Sequence, residues 1–301
     1  MVINKDKFPR IIGEYSCGNK GPLLFITAGV HGNEPSGVKA LKKVFSELEN
    51  TMPDINGTVV GVTGNRKALQ KNVRYIDEDL NRTWTVENVK SKHKDTHEKD
   101  EMFSIINELN NFPEKDFTKR YFLDCHTTSA ASAPYISVQE VDDNDAWAHE
   151  FAPFIIRGFS DIVSGCIDHY MSRTGLTGFV FEGGQHISKE AIDNHEGLIW
   201  HAIAKACDLD LNNLSNYPES AKKLEQLKSR QKTFEIVYRH AIHDSDDFEM
   251  EPGYENFQPI KKGEILAHHN DKKVISDWDA FIFMPLYQSQ GNDGFFVVEQ
   301  V

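Results

Sequence analysis

The chain has 301 residues, 39% of them hydrophobic and 26% charged, with a formal net charge of −13. That length can bury a sizeable core in one large domain or two smaller ones. The acidic balance argues against a partner such as nucleic acid or an anionic membrane. No apolar run approaches the ~18 residues of a membrane-spanning helix, and the opening Met-Val-Ile-Asn-Lys-Asp-Lys lacks the apolar core of a secretory leader. Both observations point to the cytoplasm. Cys17, Cys125, Cys166 and Cys207 are scattered and never form C-x-x-C. Neither a thiolate zinc site nor a redox motif is expected, and the cysteines should stay reduced.

The apolar run Leu23–Ala28, closed by glycines, predicts a buried strand ending in a tight turn. The turn Gly29-Val-His-Gly-Asn-Glu-Pro-Ser-Gly37 sets His31 and Glu34 three residues apart. An imidazole and a carboxylate are ligands that a catalytic zinc takes, with one position left open. Alone, H-x-x-E spacing arises often by chance. Val38, Leu41, Val44, Phe45 and Leu48 form the apolar stripe of a helix over Ser36–Glu49, and Gly57–Thr63 is the next strand.

Asn65-Arg-Lys-Ala-Leu69 and Arg74-Tyr-Ile-Asp-Glu-Asp-Leu-Asn-Arg82 follow. Two arginines and an asparagine in so short a loop suit a carboxylate-bearing substrate, and Arg can also hold an oxyanion. A surface ion-pair cluster with Asp77, Glu78 and Asp79 explains the same charges equally well. The charged stretch Glu87–Asp100, with His93 and His97, reads as a solvated loop or helix face. A helix covers Lys99–Asn110.

Tyr121–Cys125 is a strand that ends in His126, with Asp124 on the same face and placed to orient that histidine. His126 also fits a plain hydrogen-bonded histidine. A Cys125–His126 nucleophile is disfavoured, because neighbours on a strand face opposite ways. Strands are further expected at Ala133–Val138, Asp161–Cys166 and Gly178–Phe181. Glu182 closes the last of these and is followed by two glycines. A partly desolvated carboxylate there suits a general base, although a strand-end Glu can equally point into water. A long helix runs from Ser188 to Cys207, with His195 as a satisfied core histidine. Asp208–Lys232 is polar, with a short helix at Ala221–Arg230. Short strands then follow at Phe234–Ala241, Glu264–His268, Lys273–Ile275, Ala280–Met284 and Phe295–Glu299. His268 and His269 should face opposite ways. The alternation predicts an α/β domain over 1–212, with a mixed sheet flanked by helices, and a small β-rich domain over 213–301.

Taken together, these motifs resemble the succinylglutamate desuccinylase/aspartoacylase family of zinc carboxypeptidase-like hydrolases. The match comprises G-x-H-G-N-E at Gly29–Glu34, N-x-x-A-L at Asn65–Leu69 and R-Y-I-x-x-D-L-N-R at Arg74–Arg82. D-x-H-T at Asp124–Thr127 and E-x-G at Glu182–Gly184 follow in order. The resemblance implies one zinc per chain on His31, Glu34 and His126. It makes Arg74 the oxyanion holder, Glu182 the general base, and Asn81 and Arg82 the clamp on the carboxylate of the amino-acid product. Tyr170 and Arg173 are nearest to the family's substrate-binding Tyr and Arg, with spacing shifted by a residue. No tyrosine occurs in Gln290–Phe296, where aspartoacylases supply one, and Tyr287 lies earlier. The implied reaction is hydrolysis of a small, carboxylate-bearing N-acyl amino acid, and a homo-oligomer stays open. A zinc carboxypeptidase acting on short peptides is the nearest alternative. A non-catalytic metal- or ligand-binding protein of this fold is the other, although a binder has no need of Arg74 and Glu182.

Overall fold

The computed structural model describes residues 7–151, 154–214, 217–243 and 245–301. Residues 1–6, on which much of the leader expectation fell, lie outside them. The chain opens with β1 (Ile11–Ser16), β2 (Leu23–Ala28), α1 (Ser36–Thr51), β3 (Thr58–Thr63) and α2 (Arg66–Lys71). Every residue of β2 is buried. Its alternate side chains explain why: Leu24, Ile26 and Ala28 enter one core, while Leu23 and Phe25 enter a second core on the other face. A strand covered on both faces reads as a continuous apolar run.

Next come α3 (Val86–Ser91), α4 (His97–Asn110), β4 (Arg120–Thr128), β5 (Tyr135–Ser137) and α5 (Asn144–Ala148). They are followed by β6 (Phe154–Arg157), α6 (Phe159–Ile162), α7 (Ile167–Arg173), β7 (Thr177–Gln185) and α8 (Lys189–Cys207). The expected strand at Asp161–Cys166 is not formed. The strand is β6, upstream, and Gly158 at φ 91° turns the chain straight into α6. The charged stretch Glu87–Asp100 is also not uniformly solvated. It spans α3 and the start of α4, and Glu98 is fully buried.

The remainder comprises α9 (Glu219–Lys228), β8 (Lys232–Ala241), β9 (Phe248–Met250), β10 (Gln258–Ile260), β11 (Ile265–His269), β12 (Lys272–Ile275), β13 (Ala280–Phe283) and β14 (Asp293–Gln300). Among the described residues, eleven strands form one mixed sheet in the order β1-β3-β2-β4-β7-β5-β6-β8-β14-β13-β10, and β12-β11-β9 form a small second sheet. The centre β3-β2-β4-β7 is parallel. Helices α1 and α8 cover one face of it and α4 and α7 the other. The C-terminal strands are sewn on by the parallel pair β6–β8. A core of its own (Met250, Ile260, Leu266, Ile282, Val297) and an aromatic core shared with β5 and β6 (Tyr135, Phe234, Phe283, Phe296) lead us to propose 213–301 as a second unit on a common sheet. No helix among the described residues is long and apolar enough to cross a membrane.

Candidate active site

Parallel neighbours β2 and β4 end side by side, so the loops after them leave from the same edge of the sheet. The turn after β2 carries His31 and Glu34. Gly29 there adopts φ 71°, and a Cβ on Gly32 would sit 2.1 Å from the Ala68 backbone. Only glycine lets the turn press that closely on α2. His126 comes from the end of β4, and register pairs it with Glu182 on β7.

The three side chains His31, Glu34 and His126 converge. Glu34 Oε1 lies 2.8 Å from His31 Nδ1, and Glu34 Oε2 lies 3.1 Å from His126 Nδ1. Their candidate donor atoms all lie within 4.8 Å of one another, and all three residues are buried. The outer nitrogens are held as well. His31 Nε2 donates to Asp79 Oδ1 (3.0 Å) and His126 Nε2 to Asp124 Oδ2 (2.6 Å). Thr27 Oγ1 fixes Asp124 at 2.6 Å, the Thr127 N–H donates to Glu34 at 2.9 Å, and buried His195 donates to the His126 carbonyl at 2.9 Å. A carboxylate behind each ligating imidazole is how proteins set the tautomer and orientation of metal-binding histidines. This donor set, two imidazoles and a carboxylate with an open side, fits zinc.

The electrostatics are strongly coupled. Burial alone would raise the Glu34 pKa, but His31 and His126 outweigh it and hold the carboxyl well below its usual range. For Asp79, burial is likewise overridden by Arg74 and His31. Burial would lower the His126 pKa, but Asp124 and Glu34 hold it well above the imidazole range. Glu182 behaves in the opposite way. It is buried, its Oε2 has no partner, and burial pushes its pKa up to about 8 against the pull of His126.

Glu182 lines a small cavity of about 90 Å³ together with His31, Glu34, His126, Arg74, Asn81 and Arg82. Arg74 contacts Asp79 (Nη2–Oδ2 2.9 Å) and approaches Glu34 at 3.7 Å. Asn81 Oδ1 accepts from the Ile167 N–H at 2.9 Å. Arg82 is paired with Asp293 of β14 at 2.9 Å, and Arg239 shares the same carboxylate at 2.6 Å. Tyr170 and Arg173 do not reach the cavity. Tyr170 packs against Trp84 at a tilt of 43° with ring centroids 5.4 Å apart, and Arg173 donates to the Trp84 carbonyl at 3.1 Å. On α7 it is Asp168 and His169, in the first turn, that line the cavity. Tyr287 is engaged elsewhere, bonding the Tyr254 N–H and the Glu251 carbonyl. Cys125 faces the α1 core, and burial pushes its thiol well above the usual range, so it is no nucleophile.

The residues missed in the sequence include Asp79, Glu98, Asp168, His169 and Asp293. Asp79 had a local signal: it caps the turn Leu80–Arg82 through the Asn81 N–H. Its partnership with His31 has none, because it forms only when two distant segments meet.

A protein-family model described as "Succinylglutamate desuccinylase/Aspartoacylase catalytic domain" matches residues 20–188. The chain belongs to this family. Its members are amide-cleaving deacylases, which places the chain among hydrolases. A succinylglutamate desuccinylase of Vibrio vulnificus (strain YJ016) is 20% identical over 273 residues, covering 86% of this chain and 75% of that relative. Among solved structures, a succinylglutamate desuccinylase/aspartoacylase from Rhodobacter sphaeroides superposes with a TM-score of 0.67 at 16% identity, covering 94% of this chain and 87% of that one. Murine aminoacylase 3 gives a TM-score of 0.61 at 16% identity over 94% and 95%. At such identities the structural likeness establishes the fold.

Proposed function

We propose that this chain is a zinc-dependent deacylase that hydrolyses the amide bond of a small N-acyl amino acid. The observation that carries the reading is the meeting, in one cavity, of the His31–Glu34–His126 set with Arg74 and an unpartnered, buried Glu182. When bound by those three residues, zinc supplies Lewis acidity that polarises the acyl carbonyl and acidifies the attacking water.

The chain's own groups do the rest. Glu182, with its pKa raised by burial well above the usual carboxylate range, takes a proton from the attacking water and returns it to the leaving amine. Arg74 faces the metal ligands and offers fixed positive charge where the tetrahedral oxyanion develops. Asp79 keeps Arg74 and His31 in register through its two oxygens. Asn81 and Arg82 stand on the wall where the carboxylate of the amino-acid product would lie. Phe159, Val163, Val180, Met284 and Phe296 form the apolar wall and exclude water. A cavity of about 90 Å³, closed by Met284, Asp293 and Phe296 of the C-terminal unit, favours a small acylated amino acid over a peptide. With four free cysteines, we place the enzyme in a reducing cytoplasm.

The test is a panel of N-acyl amino acids and short peptides assayed with the zinc-loaded protein. Turnover of peptides alone would overturn the deacylase reading. Glu182→Gln should keep the metal and lose turnover by about 10²-fold or more. Unchanged turnover would remove Glu182 from the role of base.

A further inference from the structure

Glu182 reaches the cavity at the point where the central sheet is irregular. From His126 to Thr128 strand β4 advances two residues, while β7 advances three, from Glu182 to Gln185. One extra residue therefore bulges out of β7 directly after Glu182, and Gly184 takes φ 127° there, an angle that favours glycine. A bulge beside an active site re-aims a side chain, and it interrupts the ladder that would otherwise hold the backbone. Faces alternate up to this point. Phe181 and Cys125 point into the core beneath α1 and α8, and Glu182 and His126 point into the cavity. Gly183 turns back toward α8, and the ring of His195 fills the space its side chain would take. A Cβ on Gly183 would sit 2.6 Å from His195 Cε1.

Two consecutive residues of α8 take hold of the backbone here. Asn194 Nδ2 donates to the Gly183 carbonyl at 2.8 Å, and His195 Nε2 to the His126 carbonyl at 2.9 Å. His195 is fully buried, and its ring meets Phe181 edge-on with centroids 5.5 Å apart. Its Nδ1 has no hydrogen-bond partner. An unpaired buried nitrogen is a cost that an aliphatic side chain at the same helix position would avoid. Packing alone therefore does not account for a histidine at 195.

We propose that Asn194 and His195 are positioning residues that clamp the bulge from the far face of the sheet and so set the placement of Glu182 relative to His126. The clamp rests on the deacylase reading, in which Glu182 is the base and His126 a zinc ligand. Neither clamp residue lines the cavity, so both act through the backbone. Asn194 holds the β7 side of the bulge, next to Glu182. His195 holds the β4 side, at His126 itself. A base works only within hydrogen-bond reach of the proton it takes, and a misplacement of about 1 Å can cost about 10²-fold in rate.

The experiment compares the zinc-loaded full chain with three variants by steady-state kinetics, chelator competition, urea denaturation and amide hydrogen exchange. Asn194→Ala, at a half-buried position, should lower kcat about tenfold or more while KM, zinc affinity and the urea midpoint stay as they are. His195→Leu should lower kcat too, and should also weaken zinc binding about tenfold, because it frees the His126 carbonyl. His195→Gln, whose amide can donate to the same carbonyl, should recover most of both losses. Exchange in peptides covering 182–186 should quicken in Asn194→Ala and His195→Leu. Native kcat in Asn194→Ala overturns the clamp, and so does native exchange in that variant. A kcat loss that merely follows a fall in the urea midpoint, or His195→Gln as impaired as His195→Leu, also overturns it. Should His195→Leu fail to fold, Asn194→Ala still decides. A native chain that hydrolyses no N-acyl amino acid, with exchange and zinc affinity changed in the variants as stated, would sustain the clamp and sink the deacylase reading instead.

Discussion

His31 and His126 each present one nitrogen to Glu34 and the other to a carboxylate, Asp79 for the first and Asp124 for the second. Asp124 was legible in the sequence because it shares a strand face with His126, two residues away. Asp79 was legible only as one acid in a charged loop, because its role depends on His31, which is far off in sequence and comes from a different strand end. The two carboxylates differ in one testable respect. Asp124 is fully buried and braced by Thr27, whereas Asp79 also carries Arg74. Asp79→Asn should therefore weaken zinc binding about 10–100-fold and also release Arg74, lowering kcat. A chelator-competition titration reads the first effect and steady-state kinetics the second. Unchanged metal affinity would mean that His31 is oriented without Asp79.

At the scale of elements, legibility followed local periodicity. Strand β2 and helices α1 and α8 were readable because their apolar patterns repeat within a few residues. Helix α6 and strand β6 were exchanged for a strand at Asp161–Cys166. Ile162 and Val163 look β-forming, yet the turn at Gly158 comes first, and Val163 and Cys166 serve as cavity wall. Glu98 was the most misleading single residue. On sequence it belongs to a solvated charge run, but in the fold it is a buried anchor at the start of α4. Its two oxygens accept from Asn65 Nδ2 (2.8 Å) and from the backbone N–H groups of Ile76 (2.7 Å), Asp77 (3.0 Å) and Glu78 (3.2 Å). That carboxylate pins the loop bearing Arg74, Asp79 and Arg82. Glu98→Gln would turn an amide NH₂ toward backbone donors, with a cost of about 2–4 kcal/mol. Urea denaturation should show the loss of stability, and kcat/KM should fall with it because the loop carries Arg74. An unaltered urea midpoint would mean that the loop is held by other contacts.

At the scale of the whole molecule, the β-rich tail was foreseen as an appendage, but its attachment was not. Pairing of β6 with β8 joins strands separated by α6, α7, β7, α8 and α9 in the chain, a long-range register that no local pattern encodes. The consequence is functional. Asn33 donates to Gln288 at 2.8 Å, the Arg74 N–H to Gln290 at 3.1 Å, and Asp293 and Phe296 close the cavity. Phe296 also belongs to the shared aromatic core, meeting Phe159 at 5.2 Å between ring centroids. Cutting it to alanine removes buried contacts on both sides of the junction, so Phe296→Ala should cost about 3–5 kcal/mol. Because one sheet and one aromatic core span the junction, wild type and variant should each unfold in a single transition, with the variant's midpoint lower. The same truncation opens the apolar wall, so turnover of short N-acyl peptides should rise relative to the native chain. Two separate transitions in the wild type would show that the C-terminal unit unfolds on its own. A stable variant with no rise in peptide turnover would show that Phe296 does not set the width of the cavity.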